Sequence, residues 1–150
     1  NLKERINADL KSAMIARDEL TTQTLQGLKS AILYEEVAKK VRETGLDEAA
    51  IEQVIAREVK KRDEAAELFD KGGNAASAEK ERTEKKVLAV YLPEQMGEEE
   101  LSAVVAATIS ELKPDGPKDM GRVIGAVKAK VGNAGDGSLI AKLVKDSLQS

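Results

Sequence analysis

The sequence contains no cysteine, no histidine and no tryptophan, and its 150 residues include one phenylalanine, two tyrosines and three prolines. Without cysteine or histidine there is no thiol nucleophile, no imidazole acid or base, no disulfide and no Cys/His zinc site. No cofactor and no metal are expected. The scarcity of aromatics argues against a single-strand nucleic-acid binder built on stacking platforms. Long apolar runs are absent and lysines recur, so no membrane span is expected, and no basic segment followed by an apolar one marks an export leader. The resulting expectation is a soluble cytoplasmic protein, with an initiator methionine ahead of Asn1.

What the sequence does have is charge and helical period. Lysine and arginine number 24 and the acids 27, giving a net charge of −3. Residues 1–92 carry 17 basic and 18 acidic side chains, residues 93–117 carry 1 and 6, and residues 118–150 carry 6 and 3. The local cationic excess at the C-terminal end fits weak attraction to a nucleic acid or an acidic partner, and equally fits a solvated surface.

Apolar residues recur at helical spacing almost throughout, and no stretch alternates long enough for a strand. Leu2, Ile6, Leu10, Ala13 and Met14 mark a first helix. Leu25, Leu28 and Ile32 mark a second, extended to Val41 before a stop at Gly45. A third, capped by Asp47, carries Ile51, Val54, Ile55, Val59, Leu68 and Phe69 and ends at Gly72–Gly73. Asn74 caps a fourth, apolar only at Val87, Leu88, Tyr91 and Leu92. Pro93 disfavours helix in the residue before it, so the domain boundary falls there. Beyond it, Glu98, Glu99 and Glu100 begin a fifth helix, Met120 to Val131 forms a sixth and Leu139 to Leu148 a seventh. The expected fold is all-α: a bundle of about four helices over residues 1–92 and a small helical domain of about three over residues 93–150.

Few groups suit chemistry. Gly132, Gly135 and Gly137 lack the following lysine and the preceding strand of a phosphate-binding loop, and fit a tight turn between two helices. Gly121 and Gly125, one helical turn apart, allow either close approach of another helix or docking of a backbone or ribose between Arg122, Lys128 and Lys130. Glu79, Glu81 and Glu84 alternate with cations on the fourth helix, the pattern of a solvated face; acid–base catalysis would need one carboxylate of a pair buried. Lys60, Lys61 and Arg62 form a basic patch, either solvated or a second phosphate contact. No catalytic residue is assigned.

The stretch "EVKKRDEAAELFDKGGNAASAEKERTEKKVLAVYLPEQM", with "DMGRVIGAVKAK" and "LVKDSL" after it, closely resembles the GatB/YqeY family, and the resemblance covers essentially the whole chain. It implies an all-helical N-terminal domain and a C-terminal domain similar to the tail of the B subunit of the tRNA-dependent amidotransferase. By that resemblance the protein is an accessory module of a glutamine-dependent carbon–nitrogen ligase. It would bind tRNA through Arg122, Lys128, Lys130, Lys142 and Lys145, with Gly121 and Gly125 permitting approach, and would act with an amidotransferase or an aminoacyl-tRNA synthetase. Ligase activity comes only with the resemblance, since nothing in the chain matches the amidase or kinase-like cores. Asn74 and Asn133 stand where the family often has basic residues. The alternative is a protein–protein interaction module, without an RNA ligand, that binds through its N-terminal bundle.

Overall fold

Short polar side chains start each helix of the N-terminal part. In the computed structural model, which describes residues 1–149, α1 (Leu2–Ile15), α2 (Glu19–Ala38), α3 (Glu48–Lys71) and α4 (Ala75–Ala89) follow Asn1, Asp18, Asp47 and Asn74. Each of these four accepts a hydrogen bond from the backbone N–H three residues on, at 2.8–3.1 Å. One orphan donor of every first turn is thereby satisfied.

Three of the four helices also end alike. Arg17, Lys40 and Gly73 take left-handed conformations, with φ of 58°, 60° and 77°. The following N–H then reaches back five residues: Asp18 to Ala13, Val41 to Glu36 and Asn74 to Phe69, at 2.8–2.9 Å. Glycine is the usual residue at the left-handed position. Because Lys40 takes it instead, α2 stops at Ala38, earlier than the extension to Val41 read from the sequence.

The chain divides into two compact units, Asn1–Leu92 and Pro93–Ser150. The core of the first is built from Ile6, Leu25, Leu28, Ile32, Ile51, Val54, Ile55 and Leu88, all buried. Each large aliphatic so buried contributes about 1.5–3 kcal/mol. Tyr91 closes this core: its hydroxyl donates to Asp9 Oδ2 at 2.5 Å, and the Arg5 guanidinium lies 4.9 Å from the ring centroid. Burial, and then the Asp9 hydrogen bond, push the phenol far above its ordinary range, so it stays a donor. Helix α3, at 24 residues, outruns this core. Leu68 and Phe69 continue its apolar period yet are 68% and 37% exposed.

In the second unit α5 (Glu98–Leu112), α6 (Met120–Val131) and α7 (Gly137–Gln149) enclose Leu101, Val105, Val123, Val127, Ile140 and Val144. The fold is all-α, with seven α-helices and no strand among the described residues. Met96 N–H donates to Ala134 O at 2.8 Å and Gln95 Nε2 to Asn133 O at 3.0 Å, tying the segment after Pro93 to the α6–α7 turn. Gly135 sits in that turn, where a Cβ would lie 2.5 Å from Val131 Cγ2 and 3.0 Å from Ile140 Cδ1. Close packing therefore requires glycine at 135. Gly121 and Gly125 are different: both are exposed, and nothing lies within 4 Å of a Cβ built at either.

Candidate functional site

The cations singled out near the C-terminus have different surroundings. Arg122 donates to the Leu112 carbonyl at 3.4 Å and pairs with Asp119 at 3.7 Å. Lys130 Nζ donates to Thr108 Oγ1 at 3.0 Å and to Glu111 Oε2 at 2.9 Å. Both residues thus fasten α6 to the C-terminal end of α5, where positive charge complements the helix dipole. Lys128 is exposed and its Nζ lies over the start of α7, 3.6 Å from where a Gly137 Cβ would be. Lys142 and Lys145 are exposed on α7 and have no ion pair among the described residues. Arg122 and Lys130 meet on α5, while Lys128, Lys142 and Lys145 lie apart from that contact.

The α3–α4 hairpin holds a polar seam. Glu58, Arg62 and Glu84 have side chains 14%, 17% and 17% exposed, and Arg62 pairs with Glu58 at 3.5 Å and with Glu84 at 3.8 Å. Lys85 reaches across to Asp63 at 2.8 Å, and Arg82 pairs with Asp70. Burial, and then the neighbouring Glu84 carboxylate, raise the Glu81 carboxyl above its ordinary value. Arg62 Nε is buried without a hydrogen bond. The glutamates read from sequence as a solvated face therefore include Glu84, which is packed between helices. The basic patch divides as well: Lys60 is exposed, Lys61 pairs with Glu58 on its own helix and Arg62 points into the seam.

A groove lies between α1 and α2. It measures about 390 Å³ and is lined by Lys3, Ile6, Asn7, Lys29, Ser30, Ile32, Leu33 and Glu36. Ile6 and Ile32 belong to the core and form its floor. Glu36 is 3% exposed, accepting from Lys3 Nζ at 2.5 Å and from the Leu46 N–H at 3.0 Å. Burial alone would raise its pKa, but these two bonds outweigh it and hold the carboxyl below its ordinary value. Its charge is thus consumed within the fold, whereas Lys29 is exposed without an ion pair among the described residues.

Exposed apolar side chains lie at two places on this pair of helices. Leu33, Tyr34 and Val37 are 43%, 77% and 55% exposed, and Met14 and Ile15 at the far end of α1 are 56% and 75% exposed. Together with Leu68, Phe69 and Val90 these are the large hydrophobics left exposed among the described residues, and all belong to residues 1–92. The signal was present in the sequence: α2 carries Ala31, Ile32, Leu33, Tyr34 and Val37, an apolar arc wider than one buried face requires.

Fold and surface define an all-helical protein of two units, each with its own core, the first bearing a groove with an apolar floor. The chain belongs to the Yqey-like protein family, whose sequence model matches residues 3–148. Among curated proteins it is similar to Altered inheritance of mitochondria protein 41, mitochondrial, of Lachancea thermotolerans, with 33% identity over 78% of this chain and 60% of the relative. The protein of the same name from Kluyveromyces lactis is 33% identical over 75% of this chain and 60% of its own length. That of Pyrenophora tritici-repentis is 26% identical over 95% and 78%. The chain thus spans about 60% of the length of the first two relatives.

These findings correct two expectations. The relatives carry a mitochondrial designation, which overturns the cytoplasmic reading. That reading rested on missing apolar runs, which mature proteins of several compartments share. It is still the case that no helix among the described residues is long and apolar enough to cross a membrane. The relatives are likewise not named as amidotransferase components, so the accessory tRNA-amidotransferase module is set aside.

Proposed function

We propose that the protein is a binding module whose ligand is another protein, held by the N-terminal unit. The observation that supports this is the placement of exposed apolar surface. Every large hydrophobic left open among the described residues lies in residues 1–92, and five of them lie on α1 and α2. Open apolar side chains at neighbouring positions, as at Leu33, Tyr34 and Val37, are a usual mark of a partner surface. The C-terminal unit buries its large apolar residues in its own core.

The mitochondrion named for the relatives is the compartment in which the partner is to be sought first. The test is crosslinking of the full chain in mitochondrial extract, with bound RNA sequenced and bound protein identified in parallel. A protein retained after nuclease treatment and at physiological salt is the expected result. A nuclease-sensitive complex, or RNA recovered without protein, would reject the reading.

A further inference from the structure

We infer that the distal part of the α3–α4 hairpin, Asp63 to Thr83 with the Gly72–Gly73 turn at its tip, is an arm that opens as one piece while the core of the first unit stays folded. The Arg62 seam is its hinge line, and ion pairs between the two helices set how often it opens. This holds whatever the N-terminal unit binds.

Apolar burial stops at the seam. The core takes Ile51, Val54 and Ile55 from α3 and Leu88 from α4, with Val59 and Val87 packed against it. Beyond them the buried residues of the hairpin are two alanines, Ala66 and Ala78, both outside that core. A methyl side chain removes little apolar area from water, so each contributes far less than any of the aliphatic side chains below the seam. The larger apolar residues of the arm, Leu68 and Phe69, remain exposed. Nor do the arm helices hold themselves: about nine residues of α3 and about nine of α4 fall short of the length at which an isolated helix is stable in water.

What crosses between the helices instead is charge. At the hinge line Arg62 holds Glu58 and Glu84, all three mostly buried. On the arm side Lys85 pairs with Asp63 and Arg82 with Asp70, and these four side chains are 40–47% exposed. Pairs so open to water add little stability and are screened by salt. The hydrogen bonds at Gly73 and Asn74 are local to the tip and tie neither helix to the core. Helical segments with few buried apolar contacts form the least stable cooperative units of a fold, and elements that move are drawn from them. The arm is therefore the part of this unit that can rearrange while the core keeps its contacts.

The test is native-state hydrogen exchange of the full chain, resolved by residue, at low salt and at about 0.5 M salt. After correction for intrinsic rates, amides of Glu64–Asp70 and Glu79–Arg82 should share one protection factor, at least about a hundredfold below that of Val54, Ile55 and Leu88. High salt should lower the shared factor by about two- to fivefold and leave the core amides unchanged. A chain carrying Arg82→Ala and Lys85→Ala should show that lowered protection already at low salt. It should also lose most of the salt dependence, with core protection kept.

Equal protection of arm and core would overturn the inference, because hairpin and core would then open together. Protection that declines gradually from the seam to the tip would also overturn it, since that is fraying without a hinge. So would arm exchange that is indifferent to salt, or a double variant whose core loses protection along with the arm.

Discussion

Gly135 and Glu36 carry more of their units' stability than composition suggests. A methyl group at 135 meets Val131 and Ile140, neither of which can retreat from a filled core. Overpacking of this kind costs about 1–3 kcal/mol, so Gly135→Ala should lower the urea midpoint of the second unit, and Val131→Ala in the same chain should restore part of the loss. At Glu36 the folded pKa lies below the ordinary 4.5. A depressed carboxylate gives stability that is present above its unfolded pKa and lost as pH falls through the folded value. Stability of the first unit should hold down to about pH 4.5 and then decline. Glu36→Gln should be less stable at neutral pH and should flatten that decline in urea titrations across pH 3–6.

At the scale of the element, the α3–α4 hairpin separates what is written in one helix from what needs two. The buried residues Ile51, Val54 and Ile55 follow from the period of α3 alone, and so do the caps at Asp47 and Asn74. The end of the core does not: Leu68 and Phe69 keep the period yet stay 68% and 37% exposed. Arg62 and Glu84 are far apart in sequence and meet only across the hairpin, so a reading of α4 by itself left Glu84 in solvent. Arg62→Ala would take from Glu84 its partner across the seam and leave Glu58 with Lys61 alone, at a cost of about 1–3 kcal/mol. The more exposed Arg57, paired with Glu35 at 3.1 Å, should give a much smaller change when replaced by alanine. Thermal melts of the two variants side by side check this.

For the whole molecule, the all-α architecture was legible because helical period, polar caps and Pro93 all point the same way. The candidate site was less so. The sequence draws attention to cationic residues and glycines between 118 and 145, but charge in a sequence does not show who neutralises it: Lys130 looks free until Glu111 and Thr108 are seen beside it. Conversely, the sequence reading assigns only Leu25, Leu28 and Ile32, with Val41, to the face of α2 and passes over Leu33 and Tyr34, whose exposure emerges only once α2 is seen to bury one side of its apolar arc. Separate cores for the two units also carry an expectation. Gly135→Ala should shift an unfolding transition that Glu36→Gln leaves in place, which residue-resolved hydrogen exchange would show.

The most direct measurement compares two variants of the full chain in the same mitochondrial extract, one with Leu33→Asp and Tyr34→Asp, the other with Lys128→Glu, Lys142→Glu and Lys145→Glu. Crosslinked partners are quantified for each. Loss of the protein partner from the first variant and its retention by the second is the predicted result. Retention by the first with loss from the second would contradict it and move binding to the C-terminal unit.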